Sequence, residues 1–367
     1  MELDDSFFSS LADEKEKAKN NISFFYTLED EYKKLNEKFF AYTFHKRAER
    51  IQNCLSYWEW YKYEKNKVLE LRKVFRCKDL FCPNCRKMGI VKAIIKFIPY
   101  FNVMLALHYN PYLMTLTVPN IKGENLSQEI KKMNKAIAKF MRWLSKPFKD
   151  NGKYYGGYSS RLFDVIGAIR VLEVAVQKSD WNYFHVHFHI IAFLNRDNEQ
   201  DFFKDIPGGY QNNSQSYIYY SMADISIQKL WKMAYDGIDI TEFKNASDDW
   251  HDNYICDIRP MKDKRGIYEV FKYCFKDIDI KNVEVFKYLC LGLKGKRIRQ
   301  GYGRLYKLKL DDKDLIDVEV TPDDIKNYLE FKDELPVIVA NNFKDNTEKY
   351  VDYKKISIKN FNKKIFF

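Results

Sequence analysis

The sequence predicts an α+β protein in which helices flank a central antiparallel sheet, with a small cysteine-containing subdomain before the sheet. Three observations lead to this fold class. Two β-rich runs, DVIGAIRVLEVAVQ and YFHVHFHIIAFL, stand on either side of the short connection KSDWN and predict an antiparallel hairpin. Helical periodicity appears elsewhere, as in SQEIKKMNKAIAKFMRWLSKPF. Four cysteines fall close together upstream of both patterns.

The other elements can be assigned in chain order. Residues 1–50 are rich in Lys, Glu and aromatics with a helical period, and they predict a helical lead-in. The remaining predicted elements are a helix at RKMGIVKAIIKFI, a strand at LMTLTV that ends before Pro119, a helix over 127–148 with Ser127 as its N-cap, a surface loop at IPGGYQNNSQS, a strand at YICDIRPM and a helix at RGIYEVFKYCFKDI.

Composition and charge narrow the range of possible functions. The 367 residues are 46% hydrophobic, which is enough for a full core and excludes disorder over most of the chain. The 62 Lys and Arg against 51 Asp and Glu leave a net charge of +11. This excess indicates a polyanionic partner without distinguishing DNA, RNA and membrane. One basic cluster is formed by Lys294, Lys296, Arg297, Arg299 and Arg304.

The compartment follows from the N-terminus and the cysteines. The opening MELDDSFFSSLADEKEK is acidic and lacks the pattern of a secretory signal, and no apolar run reaches membrane-spanning length. We therefore expect a cytoplasmic protein without a membrane partner. In that compartment seven cysteines argue against a disulfide framework.

The run RCKDLFCPNCRK predicts a zinc site. A CPxC turn directs two thiolates, those of Cys82 and Cys85, toward one ion. Cys77 and Cys54 complete a Cys₄ set, with His45 or His108 as the alternative to Cys54. Four protein ligands leave no open position, so this zinc is expected to be structural. Three further cysteines are interpreted as core residues, namely Cys256, Cys274 and Cys290.

Three of the six histidines alternate along one predicted strand. Because side chains alternate faces in a strand, His185, His187 and His189 share one face, where two imidazoles can bind one divalent cation. The alternative is the polar side of a half-buried strand. Glu173, on the partner strand, supplies a carboxylate if the register brings it opposite, which favours Mg²⁺ or Mn²⁺. It can equally pair with a basic side chain, and the choice of Glu173 or His185 as third ligand stays open.

The segment EVFKYCFKD is distinguished by what surrounds Tyr273. On a helix Glu269 and Lys276 share the face of this tyrosine, which places a phenol, a carboxylate and an ammonium together. A phenolate can attack a phosphodiester, and Glu269 can act as a base. The alternative is an amphipathic helix with a packed tyrosine. Tyr268 and Tyr288 compete for the same role.

Together these motifs resemble one family, the rolling-circle replication initiators of small bacterial plasmids within the HUH endonuclease superfamily. LMTLTVPN is similar to its first motif, FHVHFHIIAF to its two-histidine motif, and EVFKYCFKDID to its tyrosine motif. The CPxC segment resembles the cysteine-rich region of one branch, and IRVLEVAV resembles the strand before the histidines. The resemblance covers roughly 50–290, and Val186 departs from a proline that the family often has there.

The resemblance implies an HUH fold with about five strands and a single-tyrosine nicking enzyme. Tyr273 is expected to nick single-stranded origin DNA through a 5′-phosphotyrosine, with Lys276 beside the phosphate and Glu269 as the base for termination. His187, His189 and Glu173 or His185 are expected to bind Mg²⁺ or Mn²⁺. Expected DNA-binding residues are Thr117, Asn120 and Arg170. A host helicase and polymerase are the expected partners.

This reading divides the chain into a helical lead-in (1–50), a Cys₄ zinc subdomain (51–98), an HUH nicking domain (99–290) and a basic C-terminal region of unknown role (291–367). Three other functions fit parts of the pattern. A relaxase or transposase uses the same chemistry, and a zinc-containing DNA-binding protein needs none. A zinc hydrolase would be active without a covalent protein–DNA product.

Overall fold

The chain forms two compact units, one from residues 1–89 and 312–367 and the other from residues 90–311. The computed structural model describes residues 5–63, 68–145, 148–150, 153–155, 163–177, 180–195, 210–211, 217–218, 221–244, 254, 256–261, 266–267, 270–271, 280, 282–306, 337–342 and 352–356.

The first unit contains a helical hairpin and an antiparallel sheet. Its elements are α1 (Asp5–Lys34), α2 (Lys38–Gln52), β1 (Tyr57–Tyr63), β2 (Val68–Val74), β13 (Val337–Asn342) and β14 (Asp352–Ile356). The sheet has the strand order β14-β13-β1-β2. The two helices pack through aromatic rings, since the centroids of Tyr32 and Phe44 are 5.3 Å apart and Phe25 is fully buried. This hairpin accounts for the aromatic, helical pattern of the N-terminal residues.

The second unit is built on a six-stranded antiparallel sheet. Its strands are β3 (Asn110–Thr117), β4 (Ile121–Lys122), β7 (Val165–Val176), β8 (Tyr183–Leu194), β11 (Cys256–Pro260) and β12 (Arg299–Gly303). The order is β11-β3-β8-β7-β12, and β4 pairs with the start of β8. Two short hairpins also occur, β5 (Phe148–Asp150) with β6 (Lys153–Tyr155) and β9 (Tyr210–Gln211) with β10 (Tyr217–Ile218). The predicted α+β class with a central antiparallel sheet is therefore confirmed.

Helices cover both faces of this sheet. The helices are α3 (Pro83–Ala106), α4 (Leu126–Ser145), α5 (Met222–Asp236) and α6 (Val283–Leu293), with short 3-10 helices at Gly123–Asn125 and Ile240–Lys244. On one face Phe188 of β8 packs against Trp231 of α5, which in turn contacts Phe140 of α4. On the other face Phe101 of α3 packs against Phe193 of β8. Phe188 and Phe193 of β8 therefore pack into two separate hydrophobic cores, one on each face of the sheet.

One helix among the described residues, Pro83–Ala106, is long and apolar enough to cross a membrane by length and composition. A core helix of a soluble domain passes the same test, so this property is weak evidence. In this chain Ala93, Phe97 and Phe101 belong to the buried core formed with Ile191 and Phe193 of β8. The apolar composition of α3 is thus used in packing against the sheet.

Two local expectations differ from the structure. Ser127 was expected to cap its helix, but α4 already begins at Leu126, because the 3-10 turn Gly123–Asn125 runs directly into it. The helix also ends at Ser145, and Phe148 starts the β5–β6 hairpin. The C-terminal region supplies strands that the sequence did not predict, since β12 pairs with β7 and β13 pairs with β1.

Candidate functional site

The three histidines of β8 lie on one face of the central sheet, as alternation requires. Each side chain is partly exposed, while the intervening Val186 and Phe188 are fully buried on the other face. The rings of His185 and His187 are stacked, with centroids 6.1 Å apart, and the centroids of His187 and His189 are 5.9 Å apart. The strand therefore presents a continuous row of imidazoles.

Glu173 of β7 belongs to the same row of side chains. The β7–β8 register pairs it directly with His187, but its carboxylate Oε2 lies 2.7 Å from Nε2 of the next histidine, His189. The side chain of Glu173 is only 6% exposed. A carboxylate so well shielded from water interacts strongly with its nearest partner, so Glu173 and the two histidines act as one electrostatic group.

Two further strands extend this polar row beyond the predicted residues. Thr115 and Thr117 of β3 pair with His189 and His187, and Asp257 of β11 pairs with Thr115. Burial, followed by the nearby Asp224, raises the pKa of Asp257, whereas Arg259, a hydrogen bond with Thr115, and His189 lower it. Asp257 therefore stands at the far end of the histidine row as a second carboxylate.

Sequence reasoning identified the strand that contains Asp257 but not the carboxylate. The sequence feature that points to Asp257 is the run CDIRP. If this run forms a strand, alternation of its side chains places Asp257 and Arg259 on one face. That signal does not reveal which strand lies beside it. The pairing of β11 with β3 joins residues about 140 positions apart, and no local pattern encodes it.

The histidine row ends where an apolar core begins on the same face. Val171 and Ile191 are fully buried there, and they pack in a cluster that also contains Ile267, Val270 and Phe271. The centroids of Phe271 and Phe97 of α3 are 5.5 Å apart. The chain just before the predicted nucleophile is therefore packed on the face that presents the histidines.

The predicted tyrosine site itself falls outside the described residues. This applies to Tyr273, Glu269 and Lys276, and also to Tyr268 and Cys274. Only the preceding residues, 266–267 and 270–271, can be placed.

Tyr288, the other competitor, is described and lies on the opposite side of the sheet. Its ring packs edge-on against Phe184, whose side chain alternates away from the histidines, and its hydroxyl donates to Glu284 at 2.9 Å. The ring also lies directly against Gly123, where a Cβ atom would clash with it. Tyr288 is thus fixed in a packing role on the α6 side.

The predicted DNA-binding residues are divided between surface and core. Thr117 ends β3 on the histidine face, and the exposed Asn120 donates to Gln177 at 3.1 Å near the same end of the sheet. Arg170 is 1% exposed on the other face. Its guanidinium donates to Tyr302 and to the Arg297 carbonyl oxygen, both at 3.2 Å. Arg170 therefore stabilises the sheet interior in this structure.

Within the histidine row, one pair of side chains has the spacing of two ligands of a divalent cation. Two donors at about 2.1 Å from one ion, in neighbouring octahedral positions, lie about 3 Å apart, which is close to the 2.7 Å between Glu173 and His189. The carboxylate oxygen suits Mn²⁺ and Mg²⁺, whereas imidazole nitrogen suits Zn²⁺, Fe²⁺ or Ni²⁺. Glu173 and His189 thus have the spacing of two ligands of one ion, while the ring centroids of His187 and His189 are 5.9 Å apart.

A second set of ligands lies in the other unit. The Sγ atoms of Cys54, Cys77, Cys82 and Cys85 all lie within 4.8 Å of one another, and within the described ranges this is the one group of three or more His, Cys, Asp or Glu side chains so close together. Sγ of Cys85 is 3.5 Å from those of Cys54 and Cys77. Tetrahedral Zn–S bonds of about 2.3 Å place sulfurs about 3.8 Å apart. The cluster can therefore bind a metal such as zinc.

The surroundings hold the cysteine loop in place. Asp79 accepts from Arg47 in a bidentate pair at 2.8 and 2.9 Å and from the backbone N–H of Phe81 at 2.9 Å. The backbone N–H of Lys78 donates to Sγ of Cys85 at 3.3 Å. His45 instead contacts Glu29 and Glu49, at 2.9 and 3.3 Å.

The replication protein family matches residues 68–351 of this chain. Three curated relatives, each named "Protein rep", are similar over most of their length. The protein from Lentilactobacillus hilgardii is 27% identical over 301 residues, covering 77% of this chain and 81% of the relative. The Bacillus amyloliquefaciens protein is 24% identical over 322 residues, covering 81% and 84%.

The third relative, from a Bacillus species, is 25% identical over 259 residues, covering 68% of this chain and 73% of the relative. The family match spans the cysteine loop, the histidine strand and the tyrosine segment together. No solved structure matches the chain.

Proposed function

Because the chain belongs to the replication protein family, we propose that it starts replication of its own plasmid by nicking single-stranded origin DNA. The observation that supports this most strongly is the histidine row. Three imidazoles and Glu173 share one sheet face, and the chain leading to Tyr273 packs beside them. In this proposal the cation site lies on this face, and the nucleophile acts on the same phosphate from beside it.

In this proposal His187 and His189 would hold the catalytic Mg²⁺ or Mn²⁺, with Glu173 or His185 as the third ligand. When bound, this cation polarises the scissile phosphate and stabilises negative charge in the transition state. Oε2 of Glu173 and Nε2 of His189 lie 2.7 Å apart, so these two donor atoms are already close enough together for one cation to bind both. An oriented ligand pair requires less reorganisation when the phosphate arrives.

Tyr273 is the proposed nucleophile. Its phenol loses its proton as the phenolic oxygen bonds to phosphorus, the bond from phosphorus to the 3′ oxygen breaks, and this 3′ oxygen takes up a proton to become a 3′-hydroxyl. Lys276 stabilises the phosphate charge, because an ammonium attracts the anionic oxygens. The product is a 5′-phosphotyrosine and a primer end for the host polymerase.

Termination is assigned to Glu269, which removes a proton from a water or a 3′-hydroxyl; this oxygen bonds to phosphorus while the bond to the leaving oxygen breaks, and the leaving oxygen takes up a proton. Thr117 and Asn120, at the end of the sheet near His187, are proposed to contact the bound strand. A host helicase is the proposed partner that exposes further single strand. The nicking machinery is assigned to residues 99–290 and structural zinc to residues 51–98.

A covalent-capture assay tests this proposal. The protein is incubated with Mn²⁺ and a labelled hairpin from its own origin, and a denaturation-resistant adduct is measured. We expect an adduct that disappears in Tyr273→Phe and in His187→Ala/His189→Ala. Tyr288→Phe is the matched control, because this ring packs on the opposite side of the sheet and its loss leaves the adduct in place.

Absence of the adduct in the unsubstituted protein would contradict the nicking function and favour a zinc-containing DNA-binding protein. An adduct that persists in Tyr273→Phe would contradict the assignment of the nucleophile alone.

A further inference from the structure

The helix α4 presents a row of cations on the side of the sheet opposite the histidines. Lys131, Lys135 and Arg142 are all exposed. Their spacing of four and seven residues places them within about 60° of one another around the helix, along about 16 Å of its axis. Ala138, also exposed, is the small residue between them. These positions form one straight, basic stripe.

These three cations have no ion-pair partner among the described residues. Over the part of the chain that the structure describes, none of them lies within 4.0 Å of a carboxylate. Glu129, the acidic residue of α4, is directed to α5, where it accepts from the hydroxyl of Tyr235 at 2.5 Å. The charge of the stripe is therefore available to an external anion.

Two further lysines beside the stripe are held in fixed positions by α5 and the residues after it. Nζ of Lys132 lies 3.8 Å from the centroid of the Tyr235 ring. Nζ of Lys139 donates to the carbonyl oxygen of Ile238 at 2.8 Å and lies 4.8 Å from the centroid of Trp143. Ordering these side chains in advance lowers the entropic cost of binding a polyanion.

The chemistry of the stripe favours duplex over single-stranded DNA. Surfaces that bind single strands combine cations with exposed aromatic rings on which unpaired bases stack. The nearby rings of Tyr235 and Trp143 are 9% and 4% exposed, so they offer no such platform. Cations without stacking rings recognise phosphates, which a duplex presents at regular intervals of 3.4 Å along each strand.

We propose that Lys131, Lys135 and Arg142 of α4 bind the phosphate backbone of the duplex that flanks the nicking site. This inference rests on the proposed function for the identity of the polyanion as DNA. It adds a second, separate DNA surface on the α4 side, which holds the paired region while the unpaired strand reaches the histidine row.

The test measures the salt dependence of binding to a short random-sequence duplex by fluorescence anisotropy. In Lys131→Gln/Lys135→Gln/Arg142→Gln the slope of log K against log salt concentration is expected to fall by about 2.7, because each phosphate contact contributes about 0.9. Binding to an unpaired oligonucleotide and its covalent adduct are expected to stay near the level of the unsubstituted protein. The control is Lys19→Gln/Lys34→Gln/Lys38→Gln, which removes three exposed charges from α1 and α2.

An equal slope in the α4 variant and the control would overturn the proposal. An equal loss for duplex and unpaired DNA would overturn the assignment to duplex. Adduct formation is scored separately on the unpaired oligonucleotide, so failure of the nicking function and failure of this inference give different results.

Discussion

At the residue scale, the site depends on one short contact across two strands. Glu173 stands opposite His187 in the register, yet its carboxylate reaches diagonally to His189. One carboxylate is therefore paired in register with His187 and in contact with His189, the two histidines that we propose as cation ligands. On the other side of His189, Thr115 and Asp257 continue the polar row. Removing the charge of Glu173 would leave the imidazoles in place with weaker affinity for a cation.

We predict that Glu173→Gln weakens Mn²⁺ binding by roughly 10- to 100-fold, the range typical for loss of a carboxylate that ligates a metal or orients a ligating histidine. The amide has nearly the same shape, so the sheet is expected to fold normally. Titration calorimetry with Mn²⁺ measures the affinity. Glu242→Gln, which changes an exposed glutamate of the 3-10 helix Ile240–Lys244, is the control. Equal affinities in the two variants would contradict a role of Glu173 at the cation.

Some residues of the candidate site can be predicted from the sequence, and others cannot. Alternation alone places His185, His187 and His189 on one face, because the period of a strand is fixed by its backbone. The position of Glu173 on this face stayed conditional on the register, because a one-residue slip turns a side chain to the other face, and the β7–β8 pairing places it opposite His187. Asp257 could not be found this way, because its neighbour Thr115 is distant in sequence.

At the scale of elements, the cysteine loop leads directly into a core helix. Cys82 precedes α3 and Cys85 lies in its first turn, while Phe97 and Phe101 of the same helix are buried. The contact with Cys54 raises the pKa of Cys77 and of Cys82 and lowers that of Cys85. Four thiols this close need a cation to deprotonate together, and binding of zinc would thereby fix the start of the helix.

We predict that Cys82→Ser abolishes binding of one zinc ion per chain and lowers stability by about 4 kcal/mol, corresponding to roughly 10 °C in melting temperature. Zinc content is measured by atomic emission and melting by circular dichroism. Cys256→Ser is the matched control, because this cysteine is fully buried in β11. It is expected to destabilise the protein without changing its zinc content, and a zinc-replete Cys82→Ser variant would refute the site.

Among the helices and strands, the sequence predicted those that have a long hydrophobic pattern of their own. The helix α4 and the β7–β8 hairpin match their predicted spans to within a few residues. The strands β1 and β2 were missed within the cysteine region, and one partner of β1 is β13, about 280 residues later. A short strand is stabilised mainly by its neighbours, so its own sequence carries a weak signal.

At the scale of the whole molecule, several of the 27 tyrosines have raised pKa values, and burial is the largest cause for Tyr112, Tyr235 and Tyr254. Burial raises the pKa of Tyr112 to about 12. Burial, followed by Asp236, raises the pKa of Tyr254 to about 12. Burial and the hydrogen bond to Glu129 raise the pKa of Tyr235 well above its ordinary value. Tyr112 of β3 pairs with Ala192 and lies on the α4–α5 side of the sheet, as Tyr235 of α5 does, so this side of the sheet contains the groups that respond to pH.

We predict that the protein loses stability as pH rises from about 10 to 12. The unfolded chain releases tyrosine protons near pH 10, whereas the folded protein retains them on Tyr112 and Tyr254 up to about pH 12. In this range the folded state binds more protons, so the free energy of unfolding falls with rising pH, and the contribution is fully present below about pH 10. Tyrosinate absorbance is expected to rise in two phases, the second accompanying unfolding seen by circular dichroism. In concentrated guanidinium chloride the same titration should give one phase near pH 10, and a single phase at that pH in the native protein, without unfolding, would show that these hydroxyls are open to solvent.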